Sequence, residues 1–503
     1  MPDEGRLRKA VLYVISTGCQ LCPDALEVLR KLPGGLDPLE VVKKALETSG
    51  EKGFLRKEDV EKAIGFPEPP RPPERVLRPL RADEVEAEIE ILMDPTRGVS
   101  SAGKVEGFLD YFRSRFRKLS SILRKRMDAR DASSISAALG ARPNSEVRML
   151  GMVREKKEGD GKLILVLEDE EATATVVFTP KADRAAYEEA LRVMPDQVVC
   201  VRAVKLSGDL FLAREITGPD VPLLAREKPE LESPIYAVLI SDLHFGSKAF
   251  LKDIFERFLS WLKGEVGNGL LREIAKAVKY VVIAGDLVDG IGVYPGQEKE
   301  LEVLDVCEQY EGVANILSGL PDHVEVIIVP GNHDACRRAL PQPAVPKKYA
   351  GPLYEDDRFH VLGNPALVSL HGVKFLIYHG NSFDDMASAV PGLGFDQPLE
   401  MMKLALKARH LAPIYGLKTP IAPMPDDLLV VEEVPDVFHT GHVHVSAYGT
   451  YRGVLLVNSG CWQAQTAYQK ARGIKPTPGK AVLVDLSSLR AMELDFAKPS
   501  LWS

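Results

Sequence analysis

Val324-Glu-Val-Ile-Ile-Val-Pro-Gly-Asn-His-Asp334 decides how the second half of this sequence is read. An almost wholly apolar, β-branched run meets a Pro-Gly turn, and an amide, an imidazole and a carboxylate follow at once. That is the pattern of a buried strand whose C-terminal end delivers polar groups into a loop. Four more segments repeat it: Tyr236-Ala-Val-Leu-Ile-Ser-Asp-Leu-His244, Tyr280-Val-Val-Ile-Ala-Gly-Asp286, Phe375-Leu-Ile-Tyr-His-Gly380 and Val437-Phe-His-Thr-Gly-His-Val-His444. Helical segments separate them, so the expected architecture is an α/β domain over 233–503 with its ligands at the carboxyl edge of the strands. Seven side chains stand at those edges: Asp242, His244, Asp286, Asn332, His379, His442 and His444. Imidazole with carboxylate suits Mn, Fe, Zn or Ni, and no cysteine joins the set, which argues against a closed structural zinc site. Seven donors suffice for two ions that share a carboxylate, with room left for water and substrate.

The distribution of histidine supports a concentrated chemistry. All ten histidines lie between His244 and His444 in a chain of 503 residues. His323, His360, His371 and His410 fit structural or surface roles, and His439 fits either the core or a supporting position behind the ligands. The length predicts about three domains. The composition, 45% hydrophobic and 27% charged, is that of a globular chain and excludes a disordered one. No apolar run approaches the roughly 18 residues of a membrane span. The polar start, Met1-Pro2-Asp3-Glu4, carries no signal peptide, and six cysteines make no secreted disulfide framework. These features predict a cytoplasmic protein without a membrane partner.

Toward the N-terminus the patterns change. Residues 1–66 read as a small helical domain, with a helix starting at Asp37-Pro38 and another over 57–64. Residues 11–15 read as strand-like, and Cys19-Gln-Leu-Cys22 follows them. A Cys-x-x-Cys after a strand suggests redox chemistry, but the short helical surroundings and the lack of a second pair favour ordinary packing. Residues 67–104 read as a linker, stiff where Phe66-Pro-Glu-Pro-Pro-Arg-Pro-Pro73 stands and polar beyond it. Residues 105–142 read as a basic amphipathic helical segment with Phe112, Phe116, Leu119 and Leu123 on its apolar stripe. Eight Lys/Arg against one acid over 111–130 suit a solvated face or a phosphate- or partner-contacting one, despite a net charge of −8. Residues 143–228 give three strands, a helix and two strands, the order of an OB barrel. Such barrels bind single strands by stacking bases on aromatics. This one offers only Phe178, Tyr187 and Phe211, so a scaffold role fits equally well.

At the ligand clusters the sequence resembles the calcineurin-like metallophosphoesterases. Gly285-Asp-Leu-Val-Asp-Gly-Ile-Gly-Val-Tyr-Pro-Gly-Gln-Glu298, Pro330-Gly-Asn-His-Asp-Ala335 with Ala339-Leu-Pro-Gln-Pro343, Tyr378-His-Gly-Asn-Ser-Phe-Asp-Asp385 and Asn458-Ser-Gly-Cys-Trp-Gln-Ala-Gln-Thr466 narrow this. They are similar to the small subunits of the archaeal family D DNA polymerases, and the likeness covers roughly residues 105–500. It implies a multidomain α+β chain with a variable N-terminal domain, here the small helical one, then an OB barrel and an α/β/β/α phosphoesterase sandwich. It also implies a 3′–5′ proofreading exonuclease that acts on single-stranded and primer–template DNA, working with a separate large polymerase subunit. By analogy one divalent ion, Mn²⁺ by preference, takes Asp242, His244 and His444. The other takes Asn332, His379 and His442, and Asp286 bridges. His333 then protonates the leaving 3′-oxygen and Asp334 orients it. In the related non-catalytic partners of the eukaryotic polymerases the site is degenerate and the domain is a scaffold, whereas every ligand position is filled here. A non-catalytic scaffold and a stand-alone phosphoesterase are the rival expectations.

Overall fold

The computed structural model describes residues 4–17, 19–32, 36–48, 54–64, 82–98, 105–223, 231, 234–471 and 473–502. The proline-rich stretch 66–73 and most of 222–232 lie outside them. The chain divides into two compact units, Met1–Arg78 and Pro79–Ser503. Mixed α and β structure is distributed over a closed five-stranded barrel and several sheets.

The first unit is helical, with Glu4–Ser16, Pro23–Arg30, Pro38–Thr48 and Lys57–Ile64. Asp37 Oδ1 accepts from the Leu39 amide at 3.4 Å, beside a proline at the first helical position. The strand expected over 11–15 is instead part of the first helix. Ala10 and Val14 are buried with Leu7 packed beside them, and this helical spacing outweighs local β-branching. Cys19 and Cys22 are free and half-buried against the same core. Gln20–Leu21, between them, pairs with Phe54–Leu55.

In the second unit Glu146–Gly159, Lys162–Glu168, Thr173–Phe178, Val198–Ser207 and Leu210–Thr217 close the barrel, with the fifth strand between the third and fourth. The period of two is plain: Leu163, Leu165 and Leu167 point inward, as do Ala174, Val176 and Phe178. The helix Arg184–Leu191 joins the third and fourth strands.

The basic helix spans Val105–Arg124 and stops there, with a second short helix at Ile135–Leu139. The helical segment expected over 105–142 is thus broken over 125–134, where Met127 is 93% exposed. The helix packs Leu119 and Leu123 on Leu150, Met152 and Val198 of the barrel. Its Arg115 is fully buried. That guanidinium donates to Asp427 Oδ2 at 2.9 Å, Pro413 O at 2.6 Å and the Tyr111 hydroxyl at 2.8 Å, and reaches Asp196 O at 3.4 Å. His410 Nε2 meets the same Asp427 oxygen at 2.8 Å. One helix residue therefore ties barrel and sandwich together.

Arg115→Ala leaves the Asp427 carboxylate buried without its cation, so a loss of about 3–5 kcal/mol of unfolding free energy is expected. Chemical denaturation measures it, and a loss below about 1 kcal/mol would contradict the account. The same knot predicts acid lability. Burial, then the Arg115 charge, lowers the His410 pKa to about 4, below the ordinary histidine value of about 6.5. A depressed folded pKa contributes stability that is full above about pH 6.5 and is lost as pH falls toward 4. For Asp427 burial alone would raise the pKa, but His410 and Arg115 hold it well below the usual carboxylate range, so its share is lost at still lower pH. Melting temperatures that stay level from pH 7 to 4 would refute this.

The rest of the second unit is two six-stranded sheets, face to face. The first runs Phe359–Val361, Glu325–Val329, Val278–Ala284, Tyr236–Ile240, Lys480–Asp485, Ala491–Asp495, its first four strands parallel. The second runs Ala447–Tyr451, Val454–Asn458, Val437–Thr440, Val373–Ile377, Ala366–Leu370, Ile89–Met93. Ala237, Leu239 and Val282 meet Val368, Phe375 and Val437 between the sheets. Val238, Ile240 and Val281 point outward onto Phe255, Phe258 and Trp261, while Leu376 and Phe438 point outward onto Met401 and Leu404. Strands buried on both faces explain the near-continuous apolar runs. Ile89–Met93 corrects the linker expected over 67–104: it pairs antiparallel with Ala366–Leu370 at the sheet edge. Ile91 there is 47% exposed, the condition of an edge strand with an open side. Among the described residues, no helix is long and apolar enough to cross a membrane.

Candidate metal centre

All seven expected donors converge where the two sheets meet at their carboxyl edges. The first sheet supplies Asp242, His244, Asp286 and Asn332 from the ends of three parallel strands, and the second supplies His379, His442 and His444. The turns that aim them are strained. Asp242, His244, Asp286, His442 and His444 have φ of 53°, 51°, 52°, 69° and 60°, a left-handed conformation costing about 1–3 kcal/mol for a non-glycine residue. Close approach needs glycine at two neighbours. A Cβ on Gly331 would collide with the Asp286 carboxylate, and one on Gly441 with that of Asp242.

The donors form two linked groups. His244 Nε2 lies 3.1 Å from His444 Nε2, and His444 Nε2 lies 3.3 Å from Asp242 Oδ1. Asn332 Oδ1 lies 3.1 Å from His379 Nε2 and 3.0 Å from His442 Nδ1. Asp286 Oδ2 stands between the groups, 3.2 Å from His379 Nε2 and 3.7 Å from His244 Nε2.

The hydrogen bonds behind these rings test whether a cation fits. His379 Nδ1 donates to Ala284 O at 2.7 Å, which leaves the Nε2 lone pair of the neutral ring facing two oxygens. His244 Nδ1 is held by Asp289 Oδ1 at 3.0 Å, so its Nε2 lone pair likewise faces the cluster. Converging lone pairs repel unless a proton or a metal ion lies among them, and a buried His/Asp/Asn set suits divalent ions. The pKa shifts express the same demand. Burial lowers the His379 pKa, but the Asp286 carboxylate overrides it and lifts it to about 9. Burial raises that of Asp286, yet the His379 and His333 charges hold it well below the usual carboxylate range. The buried His, Asp and Asn groups therefore suit divalent metal ions.

The comparisons with known proteins agree on one family. Residues 237–449 match the family model for the B-subunits of DNA polymerases alpha and epsilon. The DNA polymerase II small subunit of Thermoplasma acidophilum is 35% identical over 492 residues, 97% of this chain and 92% of that one. That of Archaeoglobus fulgidus is 45% identical over 414 residues, 82% of each. The chain belongs to the DNA polymerase II small-subunit family. The Pyrococcus horikoshii member is 46% identical over 415 residues, and the match spans 81% of this chain but only 66% of that relative's length.

Two residues beyond the seven support the site. Asp289 sits beside both His244 and His333. Its Oδ1 holds His244 Nδ1, its backbone oxygen accepts from His333 Nδ1 at 2.8 Å, and Gln297 and Gln463 clamp its carboxylate at 3.0 and 3.2 Å. Asp334, expected to orient His333, faces elsewhere. It accepts from the Tyr310 hydroxyl and the Gly331 amide, each at 2.8 Å. Burial first, then the Asp286 charge, pushes the Asp334 pKa up to about 6. The orienting group is Asp289, and Asp334 braces the Pro330–Asp334 turn. The signal was present three residues after Asp286 in the same Gly-Asp-Leu-Val-Asp stretch. Asp384 is the second addition: its Oδ1 lies 3.4 Å from His442 Nε2, on the side of the ring away from Asn332.

Because Asp289 holds the His244 ring, Asp289→Ala is expected to weaken binding of a divalent cation at this cluster about 10- to 100-fold. Isothermal titration with Mn²⁺ checks this, and unchanged affinity would show that the bond to His244 Nδ1 does not matter.

Proposed function

We propose that this chain is a two-metal 3′–5′ DNA exonuclease of the calcineurin-like type that also serves as scaffold for a separate large polymerase subunit. The observation that carries the activity is the convergence of the seven donors, with Asp286 between two groups. In this assignment Asp242, His244 and His444 would hold one divalent ion, Asn332, His379 and His442 would hold the other, and Asp286 would be shared. Mn²⁺ is the preferred ion, with Fe, Zn or Ni as alternatives. Bound there, two ions supply charge neutralisation at the phosphate and a water of lowered pKa.

The chain's own residues supply the rest. Asp289 and Asp384 hold the His244 and His442 rings in place. His333 keeps Nδ1 on the Asp289 carbonyl, which leaves Nε2 to deliver a proton to the leaving 3′-oxygen. In this reading the closed barrel, with its fifth strand between the third and fourth, is the OB domain, the paired sheets with outer helices are the phosphoesterase sandwich, and residues 1–66 are the N-terminal domain. The Arg115 knot ties the barrel to the sandwich, which supports a scaffold for the large subunit.

The deciding experiment incubates the purified chain with end-labelled single-stranded and mismatched primer–template DNA, with and without Mn²⁺. A metal-dependent ladder shortening from the 3′ end is expected. No shortening with Mn²⁺ bound would leave the scaffold reading in its place.

A further inference from the structure

The cavity over the donors encloses about 280 Å³, and its walls are of two kinds. The polar floor carries His244, Asp286, Asn332 and His442, while Val293, Tyr294, Phe395 and Ile474 line it from three separate loops. Two of these are aromatic rings held in place. Tyr294 lies with its ring centroid 6.4 Å from that of His333 at 63°, and its hydroxyl bonds Glu300 Oε2 at 2.9 Å. Its neighbour Val293 donates its amide to Gln297 Oε1 at 2.9 Å, and Gln297 Nε2 bonds Asp289. The aromatic wall is thus pinned to the same residue that orients His333. Phe395 packs against the core beneath while lining the cavity. An aromatic wall suits nucleobases, because every base has a π face that stacks on an aromatic ring whatever its sequence.

We infer that Tyr294 and Phe395, flanked by Val293 and Ile474, form a nucleobase subsite that grips the bases next to the cleaved phosphodiester. Tyr294, beside the group that protonates the leaving oxygen, lies on the leaving-strand side. This rests on the DNA phosphodiesterase reading above. A base gripped there is unstacked from its neighbours and unpaired, so the subsite selects strand ends that open.

The test uses the full chain as wild type, Tyr294→Ala, Phe395→Ala and Tyr294→Phe, with circular dichroism as the check of folding and Phe395→Leu as a milder substitute. In chelator, where no cleavage occurs, a single-stranded oligonucleotide with 2-aminopurine at its two 3′-terminal positions is titrated. Wild type should quench the fluorescence, each alanine variant should bind about 5- to 150-fold more weakly, and Tyr294→Phe, which keeps the ring but loses the Glu300 bond, should weaken binding less than Tyr294→Ala. With Mn²⁺, wild type should cleave a base-bearing 3′ end faster than an abasic one, and the alanine variants should lose that preference. Folded alanine variants that keep both the quenching and the preference would overturn the subsite. Quenching that depends on the two rings, without cleavage by any form including wild type, would keep the subsite and overturn the exonuclease reading.

Discussion

Asp286→Ala is expected to abolish metal-dependent DNA cleavage while leaving the chain folded. Its Oδ2 lies within 3.2 Å of His379 Nε2 and 3.7 Å of His244 Nε2, so one carboxylate oxygen faces both groups. Its other oxygen accepts from the His333 amide at 2.8 Å, so it also fixes the turn that carries Asn332 and His333. Loss of a residue that merely orients a ligand costs about 10- to 100-fold. A carboxylate shared by two ions should cost more, because both sites lose a donor and a negative charge together. Elemental analysis should find less than two equivalents of metal, and the label should stay at full length. Wild-type cleavage by Asp286→Ala, freed of contaminating nucleases, would refute the centre.

The site was legible because its residues come from the most regular part of the fold. Strands buried on both faces read as unbroken apolar runs, and each ends where a charged or imidazole side chain would be costly to bury unless it is used. The positions of Asp242, Asp286 and His444 follow from that rule alone. What stayed hidden depends on partners distant in sequence. Arg115 sits among basic residues that look solvated, yet Asp427, 312 residues on, draws it into full burial. Ile89–Met93 looks like polar linker because Glu90 interrupts it, and only the free edge of Ala366–Leu370 makes it a strand. Adjacency in sequence also misled. Asp334 follows His333 directly, but the turn points its carboxylate back at the Gly331 amide, and the ring is oriented from the next loop.

His333→Ala separates chemistry from assembly. His333 is part-buried at the cavity wall, with Nδ1 bound to the Asp289 carbonyl and its ring edge-on to that of His244 at 4.7 Å. Only Nε2 remains for substrate. Its nitrogen does fall within a group that could hold an ion, together with His244 and Asp286, so geometry offers it two roles. The roles give opposite results. If His333 delivers the proton to the leaving 3′-oxygen, removing it should lower the cleavage rate by about 10²–10⁴-fold while metal content stays at the wild-type level. The loss should fall on kcat, because the phosphate is still held by the donors and the bases by the apolar wall. A substrate with a better leaving group, such as a nitrophenyl phosphodiester, needs less protonation and should recover much of the rate. If His333 is instead a ligand, the variant will lose an equivalent of metal, and the activated substrate will give no recovery. That pair of results would move His333 into the metal shell and leave the leaving oxygen to be protonated by water.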